Sequence, residues 1–123
     1  MLALTLEDAD TLVDIFFKSN KLAKVLNAEA SLKKEYGAKN AKQIRLRMAV
    51  LAAANTLADV PTTPPDRRHQ LKGDYRGCFA VDVEHPFRIV FEPADDVPPV
   101  KADGGLDLGK ITAITILEIV DYH

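Results

Sequence analysis

The sequence is short of several things, and each shortage closes a possibility. Its single cysteine, Cys78, rules out an intrachain disulfide and fits a reducing cytoplasm. The longest unbroken apolar run, residues 48–54, is far below the roughly 20 residues a membrane-spanning helix needs. A secretory leader opens on a basic segment, whereas residues 1–10 hold Glu7, Asp8 and Asp10 and no lysine or arginine, so secretion is not expected. There is no internal repeat and no low-complexity tract. No cysteine–histidine pair stands at the spacing of structural zinc, so a metal site from His69, Cys78, His85 and His123 is a weak reading, and neither metal nor cofactor is expected.

A large net charge is missing too, but the balance of −2 conceals an asymmetry. Residues 18–47 carry nine lysines and arginines against Glu29 and Glu35, while residues 92–107 carry five acids against Lys101. A basic helical region between acidic ends can follow a nucleic-acid backbone, and it can equally be a solvated helix face. The length of 123 residues allows one domain with one core, and 47 % apolar with 28 % charged residues is ordinary for a globular protein.

What is present is a change of hydrophobic period along the chain. Residues 12–17 form a short apolar run, read as a first strand. Ser19 or Asn20 can start a helix by accepting from backbone N–H groups, and Leu22, Val25, Leu26, Leu32 and Tyr36 continue at helical intervals to a stop at Gly37. A second helix is predicted over residues 40–58, with Ile44, Met48 and Leu51 on one stripe and Leu46, Val50, Ala53 and Leu57 on another. Two apolar sides ask for two covers, the sheet on one and the sister helix or a partner chain on the other. Both helices are too long, and the second too apolar, for a DNA-reading helix-turn-helix.

After the prolines of residues 61–65 the period becomes two. Residues 69–71, 78–83 and 87–91 read as strands of an antiparallel meander, joined by turns at 73–77 and 84–86. Residues 93–109, with Pro93, Pro98, Pro99, Gly104, Gly105, Gly109 and four aspartates, read as a long loop that is mobile or functional. The β-branched run at residues 111–120 is too apolar for an edge and is placed centrally; it leads into Asp121, Tyr122 and His123. The prediction is an α+β fold, two N-terminal helices packed on a mostly antiparallel sheet of four to five strands, as a single domain over residues 1–123.

The second half collects His69, Lys72, Arg88, Asp121, Tyr122 and His123. Singly, each has a bland explanation: a strand histidine near a turn, surface cations, an edge aromatic, a polar end. Together they are what metal-free RNA cleavage needs. The ribose 2′-OH attacks its own phosphate, so one group takes a proton and another gives one, and imidazole suits both near neutral pH. Fixed Lys and Arg donors stabilise the charge gained in the transition state. A tyrosine can stack on a base or donate to phosphate.

Tyr36-Gly37, residues 41–44, residues 69–73 with His69 and Lys72, residues 85–91 with Arg88, and Asp121-Tyr122-His123 occur in an order that resembles the HigB branch of the RelE/ParE toxins of bacterial type II toxin–antitoxin pairs. The likeness spans residues 12–123. It implies a cytoplasmic, ribosome-dependent endoribonuclease that cuts mRNA codons in the A site without metal and leaves a cyclic phosphate. It further implies that Lys72 and Arg88 meet phosphate charge and that His69 and His123 transfer protons, with acid and base not assigned between them. Asp121 would orient an imidazole and Tyr122 would hold the nucleotide. Lys21, Lys24, Lys33, Lys34, Arg45, Arg67, Arg68 and Arg76 would contact ribosomal RNA. The partners implied are a HigA-like helix-turn-helix antitoxin, the ribosome and mRNA, with operator DNA reached only through the antitoxin and no membrane. Acidic residues 1–10 and the loop at 93–109, expected to gate the site, are extra to the family pattern. Alternatives of the same fold are a ParE-like toxin that binds DNA gyrase and cleaves nothing, and an inactive antitoxin-binding member.

Overall fold

The computed structural model describes residues 12–121; the acidic segment at residues 1–10, Tyr122 and His123 lie outside them. Strand β1 (Asp14–Phe17) leads into helix α1 (Asn20–Leu26) and the long helix α2 (Glu29–Ala53). Strands β2 (His69–Gln70), β3 (Phe79–Asp82), β4 (Phe87–Pro93) and β5 (Ala113–Asp121) follow. They form one sheet in the order β1-β5-β4-β3-β2, antiparallel except for the parallel β1–β5 pair. The α+β architecture is therefore the one expected, with five strands.

The helices differ from expectation in their joints. The predicted first helix breaks at Asn27 and Ala28: the Asn27 N–H donates to the Ala23 carbonyl and the Ala28 N–H to that of Val25, closing α1, and Ala28 is extended. Neither residue is a strong breaker, so local sequence does not announce the break. Gly37 does interrupt the helix, with φ +82° and ψ 159°, a conformation that only glycine adopts readily. It kinks α2 instead of ending it, and helix resumes at once. The second helix was predicted to reach residue 58 but stops at Ala53, because Ala54 turns extended and its carbonyl accepts the Val13 N–H at 2.8 Å. Leu57 consequently sits in a 3-10 turn (Leu57–Asp59), fully buried, where its N–H donates to Ile111. The Ile44, Met48 and Leu51 stripe packs on the core; of the other stripe Val50 is partly buried against the core, while Leu46 is 47 % exposed.

The core lies between the helices and one face of the sheet. Leu32, Ile44 and Leu51 from α2 meet Phe79, Val81, Ile89, Phe91, Ile114 and Ile116, all essentially without solvent exposure. Among the described residues no α-helix covers the opposite face. A small apolar patch of Leu71, Cys78, Ala80 and Val90, with Tyr75, Leu117 and Val120 against it, is its floor.

Two features of the last strand matter for the site. It is flanked on both sides only over residues 113–116, where β1 pairs with it, so it is central for half its length. Between Val90 and Phe91 the partner on β5 jumps from Glu118 to Ile116, leaving Leu117 as a β-bulge. The stretch read as a long loop is partly built: β4 runs to Pro93, Val100 and Leu106 bridge, and a 3-10 turn covers Leu108–Lys110.

Candidate active site

Cross-strand partners share a sheet face, so the register assigns each residue a side. On the helix-free face one row reads His69, Ala80, Val90, Glu118 from β2 to β5. The next reads Asp82, Arg88, Val120, and Arg67 joins it from the β2 side by bonding Asp82. His69 and Arg88 thus lie on one face in neighbouring rows, offset about 7 Å along the strands and, with β3 between them, about 10 Å across the sheet.

His69 is oriented by the chain just before it. Its Nδ1 lies 2.7 Å from the carbonyl oxygen of Arg67. A carbonyl only accepts, so Nδ1 carries the hydrogen and the neutral ring keeps its lone pair on Nε2. Arg67 itself has φ +48°, unusual for a residue with a side chain. That conformation turns its carbonyl to His69 while its Nη1 donates to Asp82 Oδ2 at 2.6 Å.

Asp82 is shared between two guanidinium groups. Its Oδ1 is 3.3 Å from Arg88 Nε while Oδ2 takes Arg67, so one carboxylate orients both guanidinium groups on this face. The backbone beneath is fixed from the core: buried Arg47 donates from Nε to the Asp82 carbonyl at 2.9 Å, and the Asp82 N–H donates to the Asp66 carbonyl at 2.8 Å. Arg47 also pairs with buried Asp66 at 3.5 Å and donates to Gln43 Oε1 at 3.0 Å. A cleft of about 50 Å³ opens beside this cluster, lined by Arg67, Asp82, His85 and Arg88 among others. His85, read from sequence as a plain turn residue, stands at its wall. A larger groove of about 300 Å³ runs between α1 and β5, lined by Leu22, Val25, Tyr36 and Ile119 with Lys21 and Glu35. Among the described residues its lining includes no histidine or arginine, so size is a poor guide to chemistry here.

The far side of the same face is acidic. Tyr75, in the 3-10 turn Gly73–Tyr75, packs on the apolar floor and donates its hydroxyl to Glu118 on β5. Burial, and after it the charges of Glu92 and Glu118, push the Cys78 thiol above its usual range. Sequence reasoning missed Tyr75 and Glu118. A signal existed for the second, since Glu118 is the lone charge in the run at residues 111–120.

The other expected site residues are dispersed. Lys72 is exposed in the turn after β2, where its carbonyl accepts the Tyr75 N–H. Asp121 pairs with Phe87, which packs on the helix-side core, so it stands on the opposite face from Arg88. The bulge is responsible: one extra residue reverses the alternation, bringing Glu118 onto the open face and taking Asp121 off it. Tyr122 and His123 lie outside the described residues. Of the cations expected to meet ribosomal RNA, Lys33 and Arg45 both pair with Glu29, at 3.2 and 3.4 Å. Arg68 turns inward and donates to the Val60 carbonyl, and burial lowers its guanidinium pKa. Lys21, Lys24, Lys34 and Arg76 are exposed, and Arg67 belongs to the Asp82 cluster. Among the described residues no group of three His, Cys, Asp or Glu side chains is disposed to hold a metal, and no helix is long and apolar enough to cross a membrane.

No family model and no curated protein matches the sequence. Among solved structures, the chain is similar to the YoeB dimer from Staphylococcus aureus, with a TM-score of 0.50 at 16 % identity over 90 % of this chain and 97 % of that one. It is also similar to the YoeB–YefM complex from the same organism, with a TM-score of 0.47 at 18 % identity over the same shares. At such identities the likeness is one of fold.

Proposed function

We propose that this chain is the toxin of a type II toxin–antitoxin pair in the RelE/ParE superfamily, of the HigB branch, and that it cuts mRNA on the ribosome without a metal. The observation that carries the reading is His69, its Nε2 lone pair presented on the face that holds the Arg67–Arg88 pair. The fold it shares with the YoeB dimer supports it, as does the order of motifs in the sequence.

In the proposed reaction the ribose 2′-oxygen attacks the adjacent phosphorus while His69 Nε2 takes its proton. Arg88 and Arg67, held by Asp82, neutralise the charge that builds on the non-bridging oxygens, with Lys72 as a further cation. The bond from phosphorus to the 5′-oxygen breaks, that oxygen receives a proton from His123, and a 2′,3′-cyclic phosphate remains. Tyr122 holds the nucleotide. Asp121, standing on the other face, has no place in the proton transfers at His69. The exposed lysines of α1 and α2 and Arg76 meet ribosomal RNA. The antitoxin, a helix-turn-helix protein of the HigA type, covers the outer side of α2, where Leu46, Ala49 and Ala53 are exposed. Operator DNA is reached through that partner, and the setting is the cytoplasm.

The test is inducible expression in bacteria with mapping of mRNA 5′ ends. In-frame cuts that disappear in His69→Gln and Arg88→Ala are expected. Growth arrest without cuts points to gyrase, and harmless expression points to an inactive antitoxin partner.

A further inference from the structure

The segment that leads into β2 decides what His69 can do, and its shape is imposed from outside. Arg67 at φ +48° takes a conformation that residues with side chains seldom adopt, so it persists only where neighbours enforce it. Behind it the turn is closed by backbone: the Arg67 N–H donates to the Thr63 carbonyl at 3.0 Å and the Arg68 N–H to that of Pro61 at 2.9 Å. Beside it Asp66 is gripped twice. Its carbonyl accepts the Asp82 N–H at 2.8 Å, and its carboxylate lies 3.5 Å from Arg47 Nε.

Arg47 is where these restraints meet. The guanidinium is buried; its Nε donates to the Asp82 carbonyl at 2.9 Å, and its Nη2 is tied to Gln43 one turn back on α2. One side chain from the helix layer therefore holds β3 and the segment before β2 in register. Asp82 completes the circuit, since its Oδ2 takes Arg67 Nη1 at 2.6 Å. The Arg67 carbonyl that emerges from this ring of contacts is the one 2.7 Å from His69 Nδ1. Stability alone does not account for the buried pair. Asp66 Oδ1 makes no hydrogen bond among the described residues, and a buried ion pair left so adds little over apolar side chains of similar volume. What such a pair can supply is one arrangement in preference to others.

We infer that Arg47 and Asp66 are positioning residues for His69: they hold Arg67 in the conformation whose carbonyl keeps the hydrogen on Nδ1, leaving the lone pair on Nε2. The inference deepens the ribonuclease reading and rests on it for what that lone pair does. The tautomer itself is read without RNA, so the two claims fail separately.

The test is nitrogen-15 NMR of the His69 ring in the full chain, at a pH where the imidazole is neutral, with His69→Gln identifying the signals. In the wild type the Nδ1–H form is expected to predominate. Arg47→Met combined with Asp66→Leu strands no charge and should keep the fold. It should cut the ratio of Nδ1–H to Nε2–H by roughly fivefold, the order of one hydrogen bond's net contribution. Cleavage of mRNA should fall at least as far, because only the Nδ1–H form offers a lone pair at Nε2. Should that variant not fold, Arg47→Lys carries the test. Its ammonium still pairs with Asp66, but a point charge does not reproduce the planar fork that also holds Asp82, and the ratio should drop at least about twofold. A wild type with the hydrogen on Nε2, or a folded variant with the wild-type ratio, overturns the inference. A ratio that falls as stated, in a protein whose wild type cuts no mRNA, refutes the nuclease and leaves the positioning standing; cuts by the wild type with an unmoved ratio do the reverse.

Discussion

Nδ1 of His69 and the carbonyl oxygen of Arg67 are 2.7 Å apart, and Arg67 adopts φ +48° in making that contact. One residue thereby sets the tautomer of the imidazole with its backbone while its side chain, through Asp82, sits beside Arg88. Backbone conformations of this kind cost on the order of 1–3 kcal/mol and persist where the surroundings enforce them. Replacing Arg67 by Gly relaxes the backbone and removes the cation together. Arg67→Gly should therefore leave thermal stability unchanged or slightly raised while lowering mRNA cleavage at least tenfold. Differential scanning calorimetry with a cleavage assay checks both.

The Arg47–Asp66 pair under the site is buried on both partners. Removing one partner leaves a charge in the core, which costs about 3–5 kcal/mol; removing both does not. Arg47→Met should lose that much stability in urea denaturation, and adding Asp66→Leu should recover a large part of it. A double variant as unstable as the single one would mean that the pair serves chiefly through its bonds to the Asp82 and Gln43 oxygens.

Gly37 kinks α2 at φ +82°, and an added Cβ would meet nothing within 4 Å. The cost of Gly37→Ala is then purely that of the backbone, about 1–3 kcal/mol. Gly105, whose Cβ would come 3.2 Å from Asp103 Oδ1, has no positive φ and should tolerate alanine better. Chemical denaturation of the two variants side by side reads the difference.

Two acidic groups are held protonated by the fold. Burial, and next Glu35, raises Tyr36, which packs edge-on against Phe87; burial, and next Glu92 and Glu118, raises Cys78. For a group whose folded pKa is raised, the native state keeps its proton longer than the unfolded chain. Its contribution is full below the unfolded pKa and disappears as pH climbs through the folded one. Stability should accordingly fall as pH rises above the ordinary thiol and phenol range, roughly pH 8.5 to 10 upward. Denaturation midpoints across that range test it. Cys78 should also react slowly with iodoacetamide at neutral pH, and faster in Glu118→Gln.

Much of the fold was legible because the hydrophobic period switches from helical to alternating near the prolines at residues 61–65, and because the β-branched run at residues 111–120 suits little else. What escaped has physical causes. The break at Asn27 and Ala28 carries no proline or glycine. Leu57 reads as a helix-stripe residue, and only the extended Ala54 reveals that it turns into the core. The candidate site was half legible: His69 and Arg88, grouped by the motif order, share a face, whereas Asp121, grouped with them by the same order, stands on the other. A single bulged residue, Leu117, inverts the alternation along β5 and brings Glu118 to the open face instead. Bulges follow from pairing with another strand, so no reading of one strand alone exposes them.

The central claim is that His69 and Arg88 work together on RNA. The most direct measurement is the sequencing of mRNA 5′ ends after brief induction of the wild type, His69→Gln and Arg88→Ala at matched protein levels. New ends at in-frame positions in the wild type, reduced at least 100-fold in each variant, are the expected result, in keeping with the rate factor of about 10²–10⁴ typical of a positioned proton-transfer group. Undiminished cutting by His69→Gln, or growth arrest by the wild type with no new ends, would contradict it.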